Sequence, residues 1–364
     1  MTFLELIQSA LWDRPAEWPV AQSGVLLRMN AMQGTGSLVF PKVLGQADIP
    51  SPDKMQMKAV CLQNMQQQVK MQHIFRQAWT ALEQAGIEAV LMKGAGLAAL
   101  YPEPQLRTWG DIDLFLGKEQ YHPACAVMRA TFPDALKFDE ELDHYKHYNL
   151  IADGVSIEVH RVSVAFQHPI DELRYARMEA YGMSHTERLA VGEGMEVNVP
   201  EPTFNALFVF MHAWEHAMTQ GANVRQLCDL TLLLHHYKER IDRARLKRYL
   251  CALHLTDVWQ VYMCMLVHGL GLPEEEAPFY NGSERVAARG ERLLNDMLGG
   301  RLVAPKEREQ AQRGRFARKF HTMQDRLSNA RRIGMYSPAY GRHMVAETLL
   351  HGALRLFAKD RHWE

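Results

Sequence analysis

The sequence predicts an α+β protein, in which a small mixed β-sheet with its helices is flanked by largely helical N- and C-terminal regions. Three observations support this prediction. Residues 51–84 are rich in helix formers, short apolar runs bounded by glycine or proline follow over 87–164, and helical periodicity continues almost unbroken after Pro200. The predicted regions are a helical segment 1–85, an α/β core 86–200 and a helical segment 201–364.

The elements of the core follow from changes in hydrophobic period along the chain. The segment HYNLIADGVSIEVHRVSV predicts a β-hairpin, because Asp153-Gly154 is a favoured two-residue turn between two apolar-alternating runs. The other predicted elements are a helix over 51–84 that ends at Gly86, a strand over 87–94, a helix over 95–102, a strand over 110–116, a helix over 118–132, and two amphipathic helices over 202–221 and 224–239.

The composition is that of an ordinary globular chain. Its 364 residues are 47% hydrophobic and 23% charged, with a formal net charge of −1, which predicts neither a nucleic-acid nor a membrane partner. No apolar run approaches the roughly 18 residues of a membrane span, and no basic segment precedes an early apolar stretch as in a signal peptide. The five cysteines are widely spaced, with no CxxC pair. We therefore expect a cytoplasmic protein without membrane insertion.

Basic residues are concentrated toward the C-terminus. Lys and Arg outnumber Asp and Glu over 301–364, and RGRFARKF at 313–320 mixes basic with aromatic side chains as a nucleic-acid surface does. A solvated amphipathic helix produces the same pattern and is commoner, so nucleic acid is not the favoured partner.

Two carboxylates lie one residue apart in RTWGDIDLFL, residues 107–116. Alternate residues of a strand share a face, so Asp111 and Asp113 project together, and Glu158 and His160 share a face of a later strand. We expect the pairing of these strands to bring Glu158 beside the aspartates. Three converging carboxylates repel one another unless divalent cations lie between them, and oxygen donors favour Mg²⁺ or Mn²⁺.

A second motif, LMKGAGLAAL at 91–100, places a strand end, two glycines and a helix start in succession. Gly94 and Gly96 would let backbone N–H groups approach a phosphate at the start of the helix. Lys93 and Arg107 would supply positive charge to a triphosphate. Each motif is weak alone, but their combination and order are specific.

The order of these motifs over about 85–235 resembles the uncharacterised nucleotidyltransferase family of the DNA polymerase beta superfamily. That superfamily's core is a strand ending in a glycine motif, a helix, a strand with two aspartates, and a later strand with a third carboxylate. The family's Lys-Gly, Tyr-Pro, Arg and Gly-Asp-h-Asp (h apolar) are matched here by Lys93-Gly94, Tyr101-Pro102, Arg107 and Gly110-Asp111-Ile112-Asp113. One departure is Ala95, where many members have Ser or Gly.

The resemblance implies a Mg²⁺-dependent enzyme that moves a nucleoside monophosphate from a nucleoside triphosphate to an acceptor that the sequence does not identify. Asp111 and Asp113 would hold two Mg²⁺ ions. Glu158 would complete the second metal site and assist deprotonation of the acceptor. Gly110 would lie beside the nucleotide together with the glycine motif.

The family pattern continues into a His-rich segment and an Arg-x-x-x-Asp, which His212, His216, Arg225 and Asp229 match. We expect the two histidines and Arg225 to face the cleft beside the nucleotide or to make structural hydrogen bonds to Asp229. His160 is expected to line the site or to pack beneath it.

Two alternatives remain open at this point. His212, Glu215 and His216 satisfy H-x-x-E-H, a zinc-hydrolase spacing, with no identifiable third ligand beyond Glu275 or Asp229 as guesses. The other alternative is a catalytically inactive nucleotide-binding or scaffold module that keeps the same fold.

Overall fold

The structure is a computed structural model that describes residues 1–19, 22–138, 142, 144–166, 169–192, 194–219, 221–302 and 327–357. The predicted basic segment 313–320 lies outside these residues. Helices and a mixed sheet make up the described chain, which confirms the α+β class.

The central sheet has five strands within the described residues: β1 Val90–Leu91, β2 Asp111–Phe115, β3 Leu136–Lys137, β4 His147–Ala152 and β5 Val155–His160. Their order across the sheet is β1-β2-β5-β4-β3. Neighbouring strands run antiparallel, except that β2 and β5 are parallel. The parallel pair lies in the interior of the sheet, so the side chains of β2 and β5 are flanked on both sides.

The β4–β5 hairpin confirms the predicted two-residue turn. Asp153 has φ 48° and Gly154 has φ 74°, so both turn residues are left-handed, as a type I′ turn requires. This turn fixes the register, in which His147 lies opposite His160. Directly opposed residues of antiparallel strands share a face, so the two imidazoles lie side by side.

One face of the sheet packs on helices α4 (Ser51–Gln84) and α6 (Gly117–Thr131). The predicted helix 51–84 is confirmed, and its second half belongs to the apolar core beneath the sheet. Buried side chains of that core include Phe75, Trp79, Tyr121, Ile112, Leu114, Ile157 and Val159. Because the apolar side chains of β2 and β5 point into this core, their polar side chains point to the opposite face.

Two predicted elements of the glycine motif are shorter than expected. The strand predicted over 87–94 pairs with β2 only at Val90–Leu91, and the helix predicted over 95–102 is the single turn α5, Ala95–Ala98. The chain turns away at Gly94, whose φ is 58°. A 3₁₀ turn over Pro104–Leu106 then leads toward β2.

A second hairpin, which the sequence analysis did not predict, pairs β6 (Glu187–Ala190) with β7 (Glu196–Val199) and packs beside β1. The described residues after Pro200 are largely helical, as predicted, and with the N-terminal helices they form a second apolar core. The remaining helices are α1 Phe3–Leu11, α2 Ser23–Gln33, α3 Gly36–Leu44, α7 Pro169–Ser184, α8 Pro202–Thr219, α9 Val224–His236, α10 Arg243–Ala252, α11 Thr256–Cys264 with a π-helical extension Met265–Gly269, a 3₁₀ turn Glu274–Glu276, α12 Glu284–Leu298, α13 over 327–334 and α14 Pro338–Phe357.

Among the residues that the structure describes, none of the helices combines the length and the apolar character needed to cross a membrane. The region boundaries at 85/86 and 200/201 stay predictions.

Candidate active site

The three predicted carboxylates lie on the polar face of the sheet. The parallel register of β2 and β5 places Asp113 opposite Glu158, and Asp111 lies on the same face of β2 two residues earlier. Nε2 of His160 lies 3.2 Å from Asp113 Oδ1 and 3.1 Å from Glu158 Oε2. Both carboxylates therefore contact the imidazole of His160. These four side chains form one cluster, which is called the group below.

Lys93 lies against the same group. Its Nζ is 3.2 Å from Asp113 Oδ1, and its side chain is 15% exposed. Burial alone would lower the pKa of Lys93, but the charges of Asp113, Asp111 and Glu158 outweigh burial and raise it. Lys93 is therefore a firmly charged ammonium that partly neutralises the three carboxylates.

The pKa values of Asp111 and Asp113 are shifted in opposite directions. Burial favours the neutral form of Asp113, yet Lys93 and His160 hold its pKa well below the ordinary value. The pKa of Asp111 is raised, first by the charge of Asp113 and then by burial. Burial would also raise the pKa of Glu158, but the hydrogen bond from His160 reverses the direction and lowers it. The group thus carries concentrated negative charge that Lys93 and His160 only partly balance.

The glycine motif turns tightly beside β2. Gly94 has φ 58°, and a Cβ at this position would lie 3.0 Å from the ring of Trp109. A Cβ at Gly96 would lie 3.3 Å from Val199, and the Gly96 N–H already donates to the Lys93 carbonyl at 3.1 Å. Around Gly110, by contrast, a Cβ would meet no atom within 4 Å, so this residue borders open space.

Arg107 lies in the protein interior rather than in open solvent. Its Nε and Nη2 donate to the two carboxylate oxygens of Asp229 at 2.6 and 2.7 Å, and its Nη1 donates to the Gly94 carbonyl at 3.1 Å. The Tyr101 hydroxyl donates to the same carboxylate at 2.8 Å. The Arg and Tyr of the family pattern therefore join the glycine motif to helix α9, and the predicted contact of Arg107 with a triphosphate stays a prediction.

A cleft of about 150 Å³ lies between the polar face of the sheet and helices α8 and α9. Helix α8 contributes His212 and His216 to this cleft, and helix α9 contributes Arg225 and Asp229. Residues four positions apart share one face of a helix. The sequence-predicted residues that line this cleft are Lys93, Gly94, Arg107, Gly110, Asp111, His212, His216, Arg225 and Asp229. Asp113, Glu158 and His160 are not among the residues that line it, but they adjoin it through Lys93 and Asp111.

Arg225 on α9 and the two histidines on α8 differ in their contacts and in their charge. Arg225 Nη1 donates to the Thr108 carbonyl at 2.9 Å, which holds the guanidinium beside the strand that carries the aspartates. Burial, with the nearby charge of Lys93, lowers the pKa of His212 well below its ordinary value and lowers that of His216 as well. Both imidazoles are therefore neutral near pH 7, and they face the cleft, whereas the partners of Asp229 are Arg107 and Tyr101.

The zinc-hydrolase alternative finds no support in this geometry. The rings of His212 and His216 are 4.4 Å apart, but within the described chain no cluster of three metal-ligating side chains includes them. Asp229, one of the guessed third ligands, is taken up by Arg107 and Tyr101.

One residue of the site was missed by the sequence analysis. His147 on β4 lies beside Glu158 and His160, with its Nε2 4.0 Å from Glu158 Oε2. The signal was present in the sequence, because a two-residue turn at 153–154 sets 147 opposite 160.

Two aspartates lie on one strand, a third carboxylate lies on its parallel neighbour, and a Lys-Gly turn lies beside them, which is the arrangement expected from the resemblance described above. Residues 21–271 match the family described as an uncharacterised nucleotidyltransferase. Since the match covers more than half of the chain, the protein belongs to this family. The match also extends beyond the 85–235 region that carries the motif resemblance. No curated protein and no solved structure matches the chain.

Proposed function

We propose that the protein transfers a nucleoside monophosphate from a nucleoside triphosphate to an acceptor hydroxyl or phosphate oxygen, with Mg²⁺ or Mn²⁺ as cofactor. The observation that carries the proposal is the placement of Asp111, Asp113 and Glu158 on one sheet face, next to a cleft lined by Lys93 and Arg225. Negative charge that needs divalent cations thus adjoins positive charge suited to phosphate.

The donor set fits such a cation. Asp113 is 1% exposed, and among the described residues its Oδ2 atom has no hydrogen-bond partner, an expensive state for a buried carboxylate oxygen. Asp111, Asp113 and Glu158 would hold the ions, because carboxylates are the donors that Mg²⁺ and Mn²⁺ prefer. The bound ions would neutralise the charge that develops on the transferring phosphoryl group and on the leaving oxygen.

The phosphates are assigned to Lys93 and Arg225, together with the backbone at Gly94 and Gly110. Both cations line the cleft, and Lys93 already lies beside Asp113. Arg107, which the sequence analysis assigned to the triphosphate, is given a positioning role here, since three of its nitrogens hold Asp229 and the Gly94 carbonyl. It would keep the glycine turn in place against α9.

The reaction forms one bond and breaks one. The acceptor oxygen attacks the α-phosphorus, and the bond from this phosphorus to the oxygen that bridges to the β-phosphate breaks, so pyrophosphate leaves with the bonding pair. The acceptor's proton passes to Glu158, which is 23% exposed and can meet an acceptor, whereas Asp113 is enclosed. Helices α8 and α9 border the cleft and would select the acceptor.

A cytoplasmic location is part of the proposal. All five cysteines are free in the structure, which supports a reducing compartment.

The test uses nucleoside triphosphates labelled at the α-phosphate, incubated with Mg²⁺, a cell extract and either the intact protein or the Asp111→Asn/Asp113→Asn variant. We expect transfer of label by the wild type and its loss in the variant. Transfer that persists in the variant would overturn the mechanism. Nucleotide binding by the wild type without any transfer would instead favour the catalytically inactive module.

A further inference from the structure

We infer that the Glu158 side of this site binds a divalent first-row transition-metal ion, held by His147, His160 and Glu158 with Asp113 as fourth donor. The inference deepens the proposed function, on which its catalytic meaning rests, because it names the cation that the third carboxylate selects. The ions meant are Fe²⁺, Co²⁺, Ni²⁺ and Zn²⁺, which suit imidazole donors better than the Mg²⁺ or Mn²⁺ expected from carboxylates alone.

The donor atoms already have the spacing of a small coordination sphere. Nε2 of His160 lies 3.1 Å from Glu158 Oε2 and 3.2 Å from Asp113 Oδ1, and Nε2 of His147 lies 4.0 Å from Glu158 Oε2. One donor atom each from His147, Glu158 and His160 lies within 4.8 Å of the others. Four donors arranged tetrahedrally about 2.0–2.1 Å from an ion lie about 3.4 Å apart. Small movements of these three side chains therefore suffice, whereas Asp113, which is outside this group, has to move closer to complete the set.

The hairpin register delivers the two imidazoles. His147 and His160 are directly opposed on β4 and β5, and their ring centroids are 5.0 Å apart. The Asp153-Gly154 turn fixes that register, so no flexible loop has to place either ligand. A site on paired strands is more precisely held than one on loops.

The carboxylates that face His160 are not fully satisfied without an ion. In the part of the chain that the structure describes, the buried Oδ2 atom of Asp113 has no hydrogen-bond partner. Nε2 of His160, with at most one proton, faces two carboxylate oxygens. An ion bound at Nε2 would satisfy both carboxylates at once.

The chemistry of the donors decides between cations. Two imidazoles and two carboxylates suit Zn²⁺, Fe²⁺, Co²⁺ or Ni²⁺, whereas Mg²⁺ prefers oxygen donors and keeps much of its water. The Lys93 ammonium lies 3.2 Å from Asp113 Oδ1, the oxygen that would bind the ion. Binding of the ion would therefore release Lys93 from Asp113 toward the cleft.

The test is a titration of the intact, metal-free protein with Co²⁺, followed by visible absorption, because tetrahedral Co²⁺ absorbs far more strongly than the hydrated ion. We expect about one equivalent bound, retention in a large excess of Mg²⁺, and at least about a 10-fold weaker affinity in His147→Ala. The matched control is His144→Ala, an exposed histidine three residues earlier whose ring adjoins that of His147 but is not part of the cluster.

Circular dichroism would confirm that His147→Ala is folded, and His147→Gln provides a second variant of closer size. The inference is overturned if no strong band forms, if Mg²⁺ displaces Co²⁺ equally well, or if His147→Ala and His144→Ala bind alike. The label-transfer assay with Mg²⁺ alone is independent of these results. Transfer of label without Co²⁺ binding would overturn this inference and leave the proposed function standing. Co²⁺ binding without transfer of label would support the metal site and count against the proposed function.

Discussion

Arg107 and Asp229, 122 positions apart in the sequence, form a buried two-point ion pair in which Nε and Nη2 donate to the two carboxylate oxygens at 2.6 and 2.7 Å. The pair connects the loop before β2 to helix α9. Since Arg107 also donates to the Gly94 carbonyl, it positions the glycine turn relative to the helix that carries Arg225. The geometry of the cleft therefore depends on this ion pair.

Asp229→Asn is expected to destabilise the protein by about 3–5 kcal/mol, because it leaves a buried guanidinium without its counter-charge. Arg107→Lys keeps the charge but cannot reach both oxygens, so we expect a smaller loss of about 1–3 kcal/mol. Urea unfolding measures both losses. Variants as stable as the wild type would show that the pair does not hold the cleft together.

Arg225→Gln should weaken nucleotide binding without lowering the stability of the fold. Arg225 borders the cleft and donates to the Thr108 carbonyl, so its removal should leave unfolding nearly unchanged while nucleotide affinity falls about 10-fold or more. Calorimetric titration with a nucleoside triphosphate and Mg²⁺ gives the affinity. Unchanged affinity would remove Arg225 from the phosphate site.

Gly94→Ala tests the turn itself. The left-handed φ of 58° disfavours any side chain there, and the new Cβ would lie 3.0 Å from Trp109, so we expect a loss of about 1–3 kcal/mol in stability and weaker nucleotide binding. Gly45→Ala is the control, because Gly45 is right-handed helical and a Cβ there would meet no atom within 4 Å. Equal stability and equal nucleotide affinity in the two variants would show that the backbone at Gly94 does not require glycine.

Lys93→Met tests the charge balance through pH. The lowered pKa of Asp113 means that its pairing with Lys93 stabilises the fold above the unfolded-state pKa of about 3.9 and is lost as the pH falls through the folded-state pKa. In metal-free buffer we therefore expect the variant to be less stable by about 3 kcal/mol at neutral pH, with the gap shrinking below about pH 4. Unfolding curves from pH 3 to pH 8 measure the gap. A gap that does not vary with pH would contradict the assigned pairing.

The sequence was sufficient for features that local rules determine. Alternation placed Asp111 and Asp113 on one face of a strand, and Asp153-Gly154 specified the hairpin turn that the structure shows. The long helix over 51–84 also followed from composition, since few residues in it oppose helix formation.

Features that depend on distant partners were harder to predict. β1 pairs over only two residues because the chain turns at Gly94, and the length of a strand is set by its partner rather than by its own apolar run. The pairing of Arg107 with Asp229 depends on the packing of α9 against the glycine turn, which no local sequence pattern encodes. His147 was predictable from the turn and its register, but its polar neighbours gave no separate reason to select it.

The most direct test of the central claim compares label at two positions of the same nucleoside triphosphate, with wild-type protein, Mg²⁺ and cell extract. We expect wild-type protein to move the α-phosphate label to the acceptor and to release the γ-phosphate label only as pyrophosphate, and we expect Asp111→Asn/Asp113→Asn to do neither. Movement of the γ label to the acceptor, or an undiminished α transfer by the double variant, would contradict it.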